Sequence, residues 1–237
     1  MLRLFISDLH LSEETPEIEQ AFYKFLRRES KAESLIILGD LFEVWVGDDD
    51  DADQPCRVKE KLVSLSRAGW EVLLLPGNRD FMLGHCFAQE VGGKLLEEES
   101  VLEVCGIPTL LMHGDTLCTD DVEYQSFREM VHSPGWKTEA MKKSLVQRRS
   151  LARQIRQLSI NSTSNKPENI MDVNEATVLT KLEQMQVERL IHGHTHRPMR
   201  HKLDGRERIV LGDWTSRQGW LLREQGVTLT LERFPIP

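Results

Sequence analysis

Phe5-Ile6-Ser7-Asp8-Leu9-His10 closes the first apolar run of the chain, Leu2 to Ile6, and its reading decides the fold. The run has the make-up of a buried strand. It stops at an aspartate and, two residues later, a histidine. A carboxylate and an imidazole at positions i and i+2 of a strand end can point at one ion. Alone the pair means little, because Asp-x-His recurs in ordinary loops. Here, however, the pattern repeats. Ser34–Leu38 runs into Gly39-Asp40, and Glu71–Leu75 into Pro76-Gly77-Asn78. Thr109–Met112 runs into His113-Gly114-Asp115, and Arg189–Ile191 into His192-Gly193-His194-Thr195-His196. Continuous apolar runs suit strands buried on both faces, and ligand sites in open α/β sheets gather at the carboxyl ends of such strands. Strand ends bearing Asp8, His10, Asp40, Asn78, His113, His194 and His196 predict a metal centre.

With 237 residues, 40% hydrophobic and 29% charged, the chain has the composition of a soluble globular enzyme with ample length for a core. No run is long enough to span a membrane, and Met1 leads directly into a strand, so a cytoplasmic protein without a signal peptide is expected. Cys56, Cys86, Cys105 and Cys118 are scattered and form no CxxC pair; reduced, mostly buried thiols are expected. A net charge of −8 argues against a nucleic-acid partner.

Between the strand ends the pattern is helical. Ile18, Ala21, Phe22, Phe25 and Leu26 recur at helical spacing after Thr15-Pro16, and a second helix is expected over about Pro55–Ala68. A third follows at about Leu83–Val91, then a β pair near Val101–Val104 and Thr109–Met112. This alternation predicts a layered α/β sandwich. The last fifty residues are strand-rich, Arg208–Leu211 and Val227–Leu231 most clearly. Asp213-Trp214 reads as structural, and His132 and His192 as packing or exposed residues. The acidic run Asp48–Asp51, behind the aromatic segment Leu41–Val46, is either a solvated loop or part of the site.

Over residues 117–186 strand signals vanish, which predicts a helical insertion or lid within a single domain spanning 1–237. Lys137, Lys142, Lys143, Arg148, Arg149, Arg153 and Arg156 face one acid, Glu139, and are interleaved with Met141, Leu145, Leu151, Ile155 and Leu158. The stretch reads either as a solvated face packed on the core or as an arm meeting a phosphate-bearing lipid or anionic membrane surface. The run Ser159–Lys166 reads as a polar loop suited to hydrogen-bonding a head group.

Seven candidate ligands are too many for one tetrahedral ion and fit two ions sharing a carboxylate. Mixed carboxylate, amide and imidazole donors suit manganese, iron or zinc, and paired ions suit displacement at phosphorus. The reading is a metallophosphoesterase.

Asp8-x-His10, Gly39-Asp40, Gly77-Asn78, His113 and Gly193-His194-Thr195-His196 resemble the five signature blocks of the calcineurin-like metallophosphoesterases. Ser7–Leu11, Gly39–Asp49, Gly77–Phe81 and His113–Asp115 further resemble the UDP-2,3-diacylglucosamine diphosphatases of lipid A biosynthesis, along essentially the whole chain. The resemblance implies a calcineurin-like fold with the insertion as a lid, and one ion held by Asp8, His10, Asp40 and His196. It implies a second ion on Asp40, Asn78, His113 and His194, with Asp40 bridging and both ions typically Mn²⁺. Catalytic residues would be Asp40, Asn78, Arg79 and His194. Head-group contacts would fall on Asn78, Arg79, Asp121, Tyr124, Ser159, Thr163, Lys166 and His194.

The implied reaction is attack of metal-activated water on the α-phosphorus of UDP-2,3-diacylglucosamine, giving UMP and 2,3-diacylglucosamine 1-phosphate (lipid X). The enzyme would lie peripherally on the cytoplasmic face of the inner membrane, with no obligate protein partner. Many members of the wider superfamily carry His after the Asn; this chain has Arg79. Arginine donates no proton at neutral pH but binds phosphate and stabilises transition-state charge. A phosphate leaving group needs no proton, so Arg79 favours a diphosphate substrate. The rival readings are a related enzyme acting on a soluble nucleotide, which only the insertion would distinguish, and a metal-free scaffold, which should have lost ligands.

Overall fold

The computed structural model describes residues 1–163 and 170–236, without the side chains of 160–163. The first half alternates strand and helix: β1 (Leu2–Ile6), α1 (Pro16–Arg28), β2 (Ser34–Leu38), α2 (Asp53–Arg67), β3 (Glu71–Leu75), α3 (His85–Glu90) and β4 (Lys94–Leu95). The hairpin of β5 (Ser100–Val104) and β6 (Ile107–Leu111) ends in a 3-10 turn at Asp115–Leu117. Four helices follow: α4 (Val122–His132), α5 (Pro134–Met141), α6 (Leu145–Thr163) and α7 (Glu175–Gln184). The chain closes with β7 (Arg189–His192), β8 (Met199–Leu203), β9 (Arg206–Val210), β10 (Gln218–Gln225) and β11 (Thr228–Pro235).

Local chemistry accounts for most helix boundaries. Pro16 opens α1, with Glu17 and Glu19 in its first turn and Arg27 and Arg28 in its last, matching the helix dipole. Asp121, Ser133 and Asn174 each cap a helix start by accepting an amide hydrogen bond, at α4, α5 and α7.

The strands form two sheets, in the orders β11-β10-β1-β2-β3-β4 and β5-β6-β7-β9-β8. β1 to β4 are mutually parallel, as are β6, β7 and β9; the remaining pairings are antiparallel. Side chains alternate across each sheet. Leu4, Ile6, Leu35, Ile37, Val72 and Leu74 pack with Phe22 and Phe25 of α1 and Val58 and Leu62 of α2. Phe5, Ile36, Leu38, Leu73 and Leu75 turn the other way, to Leu111, Ile191 and Ile209 of the second sheet. Leu110 and Leu190 face outward again, onto Val178 and Leu182 of α7. The result is the expected layered sandwich, helix–sheet–sheet–helix, in which each buried aliphatic or aromatic side chain contributes about 1.5–3 kcal/mol of transfer free energy. All five strands with candidate ligands deliver their carboxyl ends to one edge.

Two expectations need correction. α6 continues through Thr163, so the polar loop does not begin at Ser159; Ser, Asn and Thr are mediocre helix formers but do not stop a helix. Of the four free thiols only Cys118 is buried, and Cys86 is exposed. Among the closing strands, β8 reads Met-Arg-His-Lys-Leu and has little apolar alternation to announce it. Within 117–186, α7 packs on the second sheet, whereas α4, α5 and α6 reach across the strand ends.

Candidate metal centre

Each candidate ligand sits just past a strand: Asp8 and His10 after β1, Asp40 after β2, Asn78 after β3, His113 after β6, and His194 and His196 after β7. All seven converge. Ligand atoms of Asp8, His10 and His196 lie within 4.8 Å of one another, as do those of Asp8, Asp40 and His113. His10 Nε2 is 3.3 Å from His196 Nε2, and His196 Nε2 is 3.3 Å from Asp8 Oδ1. Asn78 Oδ1 is 2.8 Å from His113 Nε2 and 2.9 Å from His194 Nδ1. Asp40 Oδ2 lies between these groups, 3.8 Å from His10 Nε2 and 3.6 Å from His113 Nε2.

The backbone is strained where it presents these side chains. Asp8, His10, Asp40, His194 and His196 have φ of 55°, 50°, 54°, 68° and 55°. The left-handed region costs a residue with a Cβ about 1–2 kcal/mol. Strain held at five of seven candidate ligands marks a functional cluster. The neighbouring glycines are equally constrained. A Cβ on Gly39 would collide with the His113 ring, one on Gly77 with the Asp40 carboxylate, and one on Gly193 with Asp8 and Ser7. The glycine beside each ligand is therefore the room into which another ligand fits.

Asp8, Asp40, Asp80, Asp115 and His113 are almost wholly buried. Burial pushes the Asp8 carboxyl up, but its bond to His196 and the fields of His113 and His10 more than reverse this, holding it well below the usual range. Burial disfavours a charged His113, yet Asp40, Asp8 and Asp115 raise it to about 9. His194 is pushed the other way, first by burial and then by His113. Buried carboxylates facing imidazoles, with an amide oxygen between them, are donors suited to a divalent cation of the manganese, iron or zinc type.

A second layer holds these side chains, and the sequence reading missed it. Asp80 Oδ1 and Oδ2 accept the amides of Gly77 at 2.7 Å, Leu41 at 2.8 Å, Asp40 at 3.2 Å and Phe42 at 3.3 Å, so one carboxylate ties two ligand loops together. Burial and then the Asp40 charge raise it to about 6. Glu43 Oε2 lies 2.9 Å from His10 Nδ1. Asp213 Oδ2 lies 3.7 Å from His196 Nδ1, so Asp213 belongs to the site's surroundings, while Trp214 is core as expected. The Gly212-Asp213 step after a strand repeats Gly39-Asp40, and that signal could have found it.

The calcineurin-like phosphoesterase family profile matches residues 1–198. The chain is a calcineurin-like phosphoesterase. A protein of Cellvibrio japonicus named UDP-2,3-diacylglucosamine hydrolase is 46% identical over 241 residues, covering 100% of both chains. One of the same name from Escherichia coli O7:K1 is 45% identical over 99% of this chain and 100% of its own. Among solved structures, an archaeal phosphodiesterase superposes with a TM-score of 0.52 at 12% identity, covering 99% of each chain. Zinc-complexed Vps29 from Entamoeba histolytica gives 0.50 at 15%, covering 100% of each. At such identities these two bear on the fold alone.

In this calcineurin-like phosphoesterase, α5 and α6 form a cap over the strand ends. Beneath it a cleft is lined by Trp45, Val46, Phe81, Met82, Trp136 and Ile155, and reaches Asn78 and Arg79. Arg79 Nη1 lies 3.4 Å from Ser159 Oγ on α6, and its amide donates to Asp40 Oδ1 at 2.8 Å. Asp121 caps α4, and Tyr124 stacks on His194 with ring centroids 6.0 Å apart while donating to Asp115 Oδ2 at 2.9 Å. The Thr163 side chain and Lys166 lie outside the described residues. The acidic run is only partly solvated: Asp49 and Asp51 are exposed and Asp50 is buried, and all four side chains have partners. Asp48 Oδ1 and Oδ2 accept the amides of Gly84 and Phe87, Asp49 pairs with Arg148, and Asp50 and Asp51 pair with Arg149. His132 is stacked on Phe81 at 4.8 Å.

Proposed function

We propose that this chain hydrolyses the diphosphate bond of UDP-2,3-diacylglucosamine to UMP and 2,3-diacylglucosamine 1-phosphate, as the names of its full-length relatives suggest. The observation that carries the substrate reading is the apolar cleft that runs from Asn78 and Arg79 under the cap. A diphosphate at the strand ends would place acyl chains in that cleft, whereas a soluble nucleotide would leave it unused.

Asp8, His10, Asp40 and His196 would hold one divalent ion and Asp40, Asn78, His113 and His194 a second, with manganese the proposed metal. Such ions neutralise phosphoryl oxygens and lower the pKa of a water near the phosphorus. Water attacks the α-phosphorus, the bond to the bridging oxygen breaks, and the sugar leaves as its 1-phosphate. Arg79 binds the diphosphate and offsets the growing negative charge without donating a proton. Asp40 accepts the Arg79 amide, which keeps arginine and ligand in register. Asp121, Tyr124 and Ser159, with Thr163 and Lys166, take the head group.

Peripheral residence on the cytoplasmic face of an anionic inner membrane completes the proposal. Lys143 and Arg153 are exposed on the cap beside exposed Met141, Val146 and Leu158. Arg148 and Arg149 are committed to the acidic run and do not serve it. Loss of vesicle binding on charge reversal of Lys143 and Arg153 is expected; unchanged co-sedimentation would reject the membrane role.

The deciding experiment compares UMP release from UDP-2,3-diacylglucosamine and from its deacylated UDP-sugar, with Mn²⁺ and with chelator. Mn²⁺-dependent cleavage of the acylated substrate alone is expected. Equal cleavage of both would discard lipid selectivity, and cleavage of neither would return the soluble-nucleotide reading.

A further inference from the structure

Glu43 stands where two parts of the molecule meet. On one side its Oε2 lies 2.9 Å from His10 Nδ1. On the other its Oε1 pairs with the Arg156 guanidinium of α6. Main-chain bonds hold it in place: the Glu43 amide donates to Leu11 O at 3.1 Å, Leu11 N to Leu41 O at 3.0 Å, and His10 N to Asp40 O at 3.0 Å.

The orientation of His10 makes this junction matter. Its Nε2 faces His196 and Asp40, and its Nδ1 faces Glu43. A carboxylate 2.9 Å from Nδ1 favours the tautomer with the proton on that nitrogen and so leaves the Nε2 lone pair for a cation, although the approach is too bent for a regular hydrogen bond. Arg156 also lines the apolar cleft, so the same side chain touches the space under the cap and the carboxylate behind His10. α6 is pinned along one face, by Arg148 to Asp49, Arg156 to Glu43 and Ser159 to Arg79, at positions three or four residues apart or multiples of that.

We propose that Glu43 is a positioning residue that couples the seating of the cap to the geometry of the metal centre. With α6 seated, Arg156 holds one carboxylate oxygen and the other is aimed at His10. With α6 lifted, the carboxylate is free to rotate and His10 loses its orientation. The centre is fully formed only under a closed cap. This rests on the reading of His10 as a metal ligand.

The test measures Mn²⁺ affinity of the full-length chain by calorimetry, without substrate, for wild type, Glu43→Gln, Arg156→Met, Arg156→Lys, the Glu43→Gln/Arg156→Met double variant and Asp40→Ala. Loss of a carboxylate partner behind a ligating histidine weakens metal binding about tenfold or more. Glu43→Gln is expected to show that loss. Arg156→Met, which touches no ligand, should show a smaller loss, Arg156→Lys should regain part of it, and the double variant should be no worse than Glu43→Gln. Metal-free melting curves confirm that each variant is folded. Wild-type affinity in Glu43→Gln, alongside lost binding in Asp40→Ala, would overturn this inference and leave the metal reading intact. An unaltered Arg156→Met would overturn the coupling to the cap. Failure of the wild type to bind Mn²⁺ would overturn both readings.

Discussion

Arg148 and Asp49 meet in a two-pronged pair, with Nη1 donating to Oδ1 at 2.7 Å and Nη2 to Oδ2 at 2.5 Å. Arg148 is buried, and its Nη1 also donates to Val46 O at 2.6 Å. This pair fastens the middle of the cap to the core. Hydrogen bonds to charged groups contribute about 1.5–3 kcal/mol each in favourable settings. Arg148→Met should therefore speed amide hydrogen exchange along α6 while leaving the sheets protected. Unchanged exchange in α6 would show that the cap is held elsewhere.

Asp80 gathers four amides from two ligand loops, and no single hydroxyl or amide side chain can replace it. Asp80→Ala leaves these buried donors unpaired and should destabilise the fold by about 2–4 kcal/mol in urea unfolding. It should also weaken Mn²⁺ binding, although Asp80 is no proposed ligand. A variant as stable as wild type would remove Asp80 from its tying role.

The buried carboxylates of the centre repel one another until a cation arrives. Metal should raise the melting temperature of the wild type, by the equivalent of about 2.7 kcal/mol at a hundredfold excess over Kd. Asp40→Asn should abolish turnover and this metal-induced shift, because the variant lacks the carboxylate proposed to be shared by both ions. A metal-induced shift equal to that of wild type would remove Asp40 from the proposed ligand set.

Burial, then Arg128 and Lys137, lower His132 to about 3, so it is neutral in the folded protein at neutral pH. The unfolded chain takes up a proton there near pH 6.5. Below that pH the unfolded state binds more protons than the folded one, so this contribution to stability is present above 6.5 and is lost as pH falls from 6.5 toward 3. His132→Phe preserves the stack on Phe81 and should flatten the decline in melting temperature between pH 7 and 5. An identical slope would place the acid sensitivity elsewhere, His192 being the next candidate because its burial also lowers it to about 3.

The seven candidate ligands were legible because each is announced locally, by an apolar strand, a small residue and a coordinating side chain. Phe5 and Leu4 could both be read as buried, but not that they face different layers, since that depends on a second sheet beginning a hundred residues later. Glu43 carries little local signature as a partner of His10, and only the packed loops bring it there, whereas Asp213 follows a strand and a glycine as Asp40 does. The sequence left the acidic run open between a solvated loop and part of the site because its cations, Arg148 and Arg149, lie about a hundred positions downstream. Pairings of that range belong to the tertiary structure.

Asp8, His10, Asp40 and Asn78 come from the first sheet, and His113, His194 and His196 from the second. Neither half is a complete site. A growing polypeptide would release the first four early and the last only when nearly five-sixths of the chain had been made. The ion would therefore be acquired after synthesis has passed His196 and the sheets have closed, so metal loading doubles as a record that this phosphoesterase has finished folding.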